Sequence, residues 1–86
     1  MAHPRKTKPA HRSPMPEITR IGEQFAARRL QLGLTQELLG DLAGVSRYSV
    51  QALEHATGSV KLESIVQIAE ILGLRLEATT VDDASQ

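Results

Sequence analysis

The twenty residues Gln36–His55, QELLGDLAGVSRYSVQALEH, restrict the fold more than any other stretch of the chain. Counted from Gln36 as position one, apolar residues fall at four, eight, ten, fifteen and eighteen: Leu39, Ala43, Val45, Val50 and Leu53. Glycine stands at five (Gly40) and at nine (Gly44). This is the pattern of two short helices crossing steeply through a tight turn. Near position five the helices touch and a bulky side chain would clash, while the turn at position nine needs a residue that accepts positive φ. A glycine inside a helix costs roughly 1 kcal/mol relative to alanine, so Gly40 marks a packing demand. The outward positions are left for solvent or a partner.

The flanking sequence supplies the rest of a small helical domain. Ile21, Phe25 and Leu32 form one stripe of a 3.6-residue period. Helices are expected near 19–32, 35–43, 46–55 and 62–72, with Thr19, Thr35 and Ser46 as N-caps and Gly33 and Gly73 as stops. The expected core comprises Ile21, Phe25, Leu38, Leu42, Val45, Val50, Leu53, Ile65, Ile68 and Leu72. After Gly73 the period changes: Leu74, Leu76 and Ala78 alternate with Arg75, Glu77 and Thr79, which is strand grammar. A lone strand near 75–81 needs a partner, and a second copy of the same strand is the simplest one. Residues 82–86 read as a polar end.

Charge divides the chain. Residues 1–16 hold Arg5, Lys6, Lys8 and Arg12 with no acid, together with all four prolines, and read as a disordered or extended basic arm. This arm is either a solubilising tail or a phosphate-contacting one. Residues 17–86 carry six Lys and Arg against ten acids. The expected organisation is therefore an arm over 1–16, a helical domain over 17–73 and a strand with a polar tail over 74–86.

Composition removes several function classes. The 86 residues allow one small domain. With no cysteine there is no disulfide framework, thiolate metal site or cysteine nucleophile. His3, His11 and His55 are scattered, so neither a catalytic centre nor a metal or cofactor site is expected. Phe25 and Tyr48 are the only aromatics, too few for a single-strand stacking platform. No apolar run approaches the ~20 residues of a membrane span, and the expected location is cytoplasmic, on the nucleoid.

The run RRLQLGLTQELLGDLAGVSRYSVQALE resembles the Cro and phage-repressor (XRE) helix-turn-helix family, and the resemblance extends over about Ile21 to Leu74. It implies an all-α, lambda-repressor-like domain of four or more helices that binds double-stranded DNA as a dimeric transcriptional regulator, in the manner of a repressor or autoregulator. Carried over residue by residue, it puts Gln36 at a phosphate clamp. Ser46, Arg47, Tyr48, Gln51 and Ala52 fall on the outward face of a recognition helix, with Ser49 and His55 near phosphates. It also makes Arg29 and Glu54 a partly buried structural pair. Three departures stand out: Ala56 where the family has glycine, Lys61 where it has a capping residue, and no Lys or Arg in the loop 56–60. The strand-like tail is similar to that of HipB-type antitoxins, which implies a HipA-like toxin kinase as a further partner. A plain XRE autoregulator with a β-tail fits the same residues. Either way, the implied operator is an inverted repeat read by a homodimer.

Overall fold

The structure, a computed structural model, describes residues 12–81. It contains four helices, α1 (Pro16–Gln31), α2 (Gln36–Ala43), α3 (Arg47–His55) and α4 (Leu62–Leu72). Helix α1 starts three residues before the expected Thr19. Pro16 occupies the first helical turn, where its missing N–H costs nothing and its fixed φ suits a helix. The Met15 N-cap makes no side-chain bond. The other caps fall where the sequence put them. Thr35 Oγ1 accepts from the Leu38 N–H at 3.0 Å and Ser46 Oγ from the Ser49 N–H at 3.0 Å. Gly44 ends α2 in a left-handed conformation with φ 75°.

Phe25, Leu39, Val50, Leu53, Ile68, Ala69 and Leu72 form the buried core, with Ile21, Leu34, Ala43, Val45, Val60 and Ile65 packed around it. Two expected members are outside: Leu38 is 44% exposed and Leu42 53%. The eight-residue helix α2 carries two leucine stripes at i, i+4 spacing. The cap at Thr35 and the contact of Gly40 with the following turn rotate the Leu39–Ala43 stripe inward. A Cβ on Gly40 would lie 2.9 Å from the Val45 carbonyl oxygen and 3.3 Å from the Arg47 nitrogen, which is the packing demand its position signalled.

The expected strand at 75–81 does not form among the described residues. The Leu74 N–H donates to the Ala69 carbonyl at 2.8 Å, closing α4. Leu74 and Leu76 then pack against the core beside Ile21, Gln24 and Phe25. In-and-out alternation therefore holds as far as Leu76, but the apolar side rests on α1, and Ala78 is exposed. Of the basic arm, residues 1–11 lie outside the described residues, as do 82–86 of the polar end. Residues 12–15 lie against the end of α3, where the Ser13 N–H donates to the Ala56 carbonyl at 2.6 Å and Arg12 forms an antiparallel β-bridge with Thr57.

Candidate nucleic-acid interface

Helix α3 is held from beneath by charge. Arg29 of α1 meets Glu54 of α3 with two bonds, Nε to Oε2 at 2.6 Å and Nη2 to Oε1 at 3.0 Å. A third donor, Nη1, reaches the Leu34 carbonyl at 2.8 Å. Both side chains are largely buried, and such a pair survives burial only when its remaining donors and acceptors are satisfied. The hydrogen bond to Glu54 raises the Arg29 pKa above its ordinary value; desolvation opposes this and the Glu54 charge adds to it. The guanidinium is therefore a permanent cation.

Gln36 joins this network. Its Nε2 donates to Glu54 Oε1 at 3.0 Å, and the residue is half-buried. Its side chain is thus engaged with the interior rather than held clear of the surface. As the first residue of α2 it also stands where backbone N–H groups lack intrahelical acceptors. The sequence assigned Arg29 and Glu54 to one pair but gave no sign of this third member.

The outer edge of α3 carries the remaining candidates. Ser46, Arg47, Tyr48 and His55 are exposed, and Ser49, Gln51 and Ala52 are half-buried. Tyr48 is 67% exposed although it is a large amphipathic residue. The Arg47 guanidinium carbon lies 5.1 Å from the Tyr48 ring centroid, and Nη2 is 3.4 Å from the phenol oxygen. Exposed cation–π contacts of this kind contribute about 0.5–1 kcal/mol, enough to narrow the rotamers of a side chain offered to a partner. Ser46 and Ser49 bind each other, Oγ to Oγ at 3.1 Å, in addition to the helix cap. Both serines therefore shape the start of α3 as well as facing outward. His55 stands a turn beyond Gln51, at the other end of the helix.

Two departures from the family pattern have structural answers. Ala56 itself adopts the left-handed conformation, φ 57° and ψ 44°, which costs a non-glycine residue about 1–2 kcal/mol. The turn is not handed on to Gly58, although Gly58 also has positive φ. Lys61 is the N-cap of α4 and makes no side-chain cap bond, and Ser59 does not replace it. Sequence reading missed Gly22 altogether: a Cβ there would collide with the Leu53 carbonyl and lie 2.8 Å from the Glu54 carbonyl oxygen. It also missed Arg28, whose Nε donates to the Leu72 carbonyl at 2.8 Å and so secures the end of α4.

Two short helices joined by a glycine turn, the second presenting a polar edge and braced by the first and fourth, define a helix-turn-helix protein. The chain belongs to the XRE-type helix-turn-helix family: the family profile described as Helix-turn-helix matches residues 25–78. This is a family of DNA-binding transcription regulators. The chain is 30% identical over 63 residues to uncharacterized HTH-type transcriptional regulators of Sinorhizobium medicae and Rhizobium meliloti. The match covers 73% of this chain but 45% of each relative, so the chain spans about half their length. Among solved structures it is similar to the restriction-modification controller protein C.AhdI from Aeromonas hydrophila, with TM-score 0.64 and 28% identity over 71% of this chain and 92% of that one. A chain of the HipA-HipB-O2-O3 complex shares the fold, with TM-score 0.66 and 19% identity over 79% of this chain and 96% of that one. No described helix is long and apolar enough to cross a membrane.

Proposed function

We propose that this protein is a sequence-specific regulator of transcription that lays α3 in the major groove of an inverted-repeat operator as a homodimer, acting as a repressor or autoregulator. The observation that carries this reading is the Arg47–Tyr48 pair, stacked and exposed at the N-terminal end of α3. In a helix-turn-helix that end reaches the base edges. Arg47 is suited to bidentate pairing with guanine O6 and N7, and Gln51, one turn on, to adenine. Tyr48 offers a ring to a thymine methyl or a hydroxyl to a phosphate. Ser46, Ser49 and His55 are assigned to the sugar-phosphate backbone, and Gln36 contributes through the first turn of α2. The identity with HTH-type transcriptional regulators supports the regulatory role. The non-helical run 74–81 supports the HipB-like alternative, in which the same DNA interface serves autoregulation and a toxin kinase is a second partner; co-purification of such a kinase separates the two.

Sequencing the DNA retained by the purified protein tests the proposal. The expected product is an inverted repeat with half-sites about one helical turn apart. Arg47→Ala should then lose about 1–3 kcal/mol on that site and relax preference at one base pair. Retention of DNA without any common sequence would overturn it.

A further inference from the structure

Beside the end of α3 the packing leaves a space. Ile18 and Ile21 of α1, Ala52 and Ala56 at the end of α3, Val60 of the following loop and Ile65 of α4 border a cavity of about 300 Å³ that opens to solvent on one side. Its origin is in the sequence. Ala52 and Ala56 stand four residues apart, so two methyl groups occupy neighbouring places on one helix face where longer side chains would fill the gap. Ala56 is 4% exposed and holds a left-handed conformation, φ 57°, which turns the chain around the cavity. Well-packed interiors leave few voids larger than a water molecule, so a space of this size in so small a domain needs an occupant. The loop side is polar. Thr57 and Ser59 bring hydroxyls to it, and Gly58, Ser59 and Val60 make no hydrogen bond with any described residue. No charged side chain lines the cavity.

We propose that this cavity is a binding site for a small neutral molecule with an apolar body and one hydrogen-bonding head. The body lies against Ile21, Ala52 and Ile65, and the head meets the unspent groups of the 57–60 loop. Apolar walls with a few polar groups gathered on one side are the usual make-up of small-molecule pockets, and the volume stands at the lower end of their range. A dry apolar cavity of about 150 Å³ takes up benzene, so twice that volume suits a body of about ten to twelve non-hydrogen atoms. An anion or cation is disfavoured, because it would lose its hydration with no opposite charge to replace it. The site shares no residue with Arg47, Tyr48 and Gln51, so it stands independently of the DNA-binding proposal.

The isoleucines provide the test. The chain has five, of which Ile18, Ile21 and Ile65 line the cavity, Ile68 is buried in the core and Ile71 lies on the surface of α4. Methyl NMR of the full-length, isoleucine-labelled chain is followed during titration with octan-1-ol, 2-naphthol and, as a charged control, octanoate. The two neutral probes should shift the Ile18, Ile21 and Ile65 methyls along one saturable curve and leave Ile71 in place. Octanoate should bind roughly tenfold more weakly or worse, because its carboxylate finds no cation there. Ala52→Leu should fill the space, raise Tm and abolish the shifts. Should that variant not fold, Ile18→Trp closes the mouth from an exposed position and should abolish them instead. Absence of a saturable shift up to the solubility of either neutral probe would overturn the site. So would equal shifts at Ile71, which mean unspecific adhesion, or shifts that persist in a folded blocking variant. Shifts of the three methyls that follow protein concentration without any probe would give the cavity to a second copy of the chain and also overturn the proposal.

Discussion

Gly22→Ala is the substitution whose outcome the geometry determines most directly. In an exposed helix this change would stabilise by about 1 kcal/mol, because alanine loses less backbone entropy than glycine. Here the new methyl would lie 2.8 Å from the Glu54 carbonyl oxygen and 3.1 Å from its carbon, and nearer still to the Leu53 carbonyl. The obstacle is backbone on both sides, so no side-chain rotation relieves it and α1 must separate from α3 by several tenths of an ångström. Overpacking of this kind costs about 1–3 kcal/mol or more, and unyielding backbone puts the cost at the upper end. Subtracting the propensity gain leaves a net loss of about 2 kcal/mol. For a domain of this size that lowers Tm by roughly 8–16 °C. Thermal melts followed by far-UV circular dichroism, at one fixed protein concentration, read it directly. The shift also pulls on the Arg29–Glu54 pair, so operator affinity should fall at temperatures where the variant is still folded. A Tm equal to or above that of the parent would refute the close crossing of α1 and α3.

Leu39→Ala should cost about 2–5 kcal/mol, as expected for a fully buried leucine, whereas Leu38→Ala should stay within about 0.5 kcal/mol as a surface change; urea midpoints of the two distinguish which stripe of α2 faces inward. Glu54→Ala should destabilise by about 3–5 kcal/mol, because it strands the Arg29 cation in a largely buried position, and the same denaturation experiment reads it. On the homodimer reading, in which the tail joins two copies, deleting residues 77–86 while Leu74 and Leu76 stay on the core should give a monomer with much weaker operator binding. Light scattering that still reports a dimer would move the interface to α4.

How much of this was legible in the sequence depends on whether a residue's role is set locally. The caps at Thr35 and Ser46 and the turn at Gly44 depend on neighbours within four residues, and they stand where the sequence put them. Gly40 was legible because its obstacle, the Val45 carbonyl, belongs to the same turn. Gly22 was not, because the carbonyls it approaches lie on another helix. Leu38 and Leu39 are indistinguishable by period alone, since each has an apolar partner four residues on; the packing of Gly40 on the turn that follows, a feature of the motif rather than of the period, selects Leu39. Pro16 failed for a different reason. Proline fits both an extended arm and the first turn of a helix, and four prolines in one stretch favoured the arm. The tail misled because alternation of apolar residues describes any extended segment laid on a surface, whether or not a second strand lies beside it.

The interface illustrates the same division at the level of chemistry. Arg47 and Tyr48 were legible as outward residues and Gln51, half-buried, only partly so, since the capped start of α3 fixes which side chains clear the helix axis. Their usefulness depends on what cannot be seen from α3 alone, namely its attachment. Glu54 accepts from Arg29 of α1 and from Gln36 of α2, so one carboxylate ties three helices together about two turns along α3 from Arg47. A buried ion pair is weak evidence for stability, because desolvation offsets most of its attraction. Its directional bonds nevertheless penalise any rotation or slide of α3 that would lengthen them. Hydrophobic contacts of Val50 and Leu53 lack that directionality and tolerate small shifts. Reading a base edge requires side chains placed to within hydrogen-bond tolerance, so the carboxylate supplies orientation where the core supplies adhesion. For that reason the side chain that fixes the orientation of the outer edge of α3 is one that is itself buried.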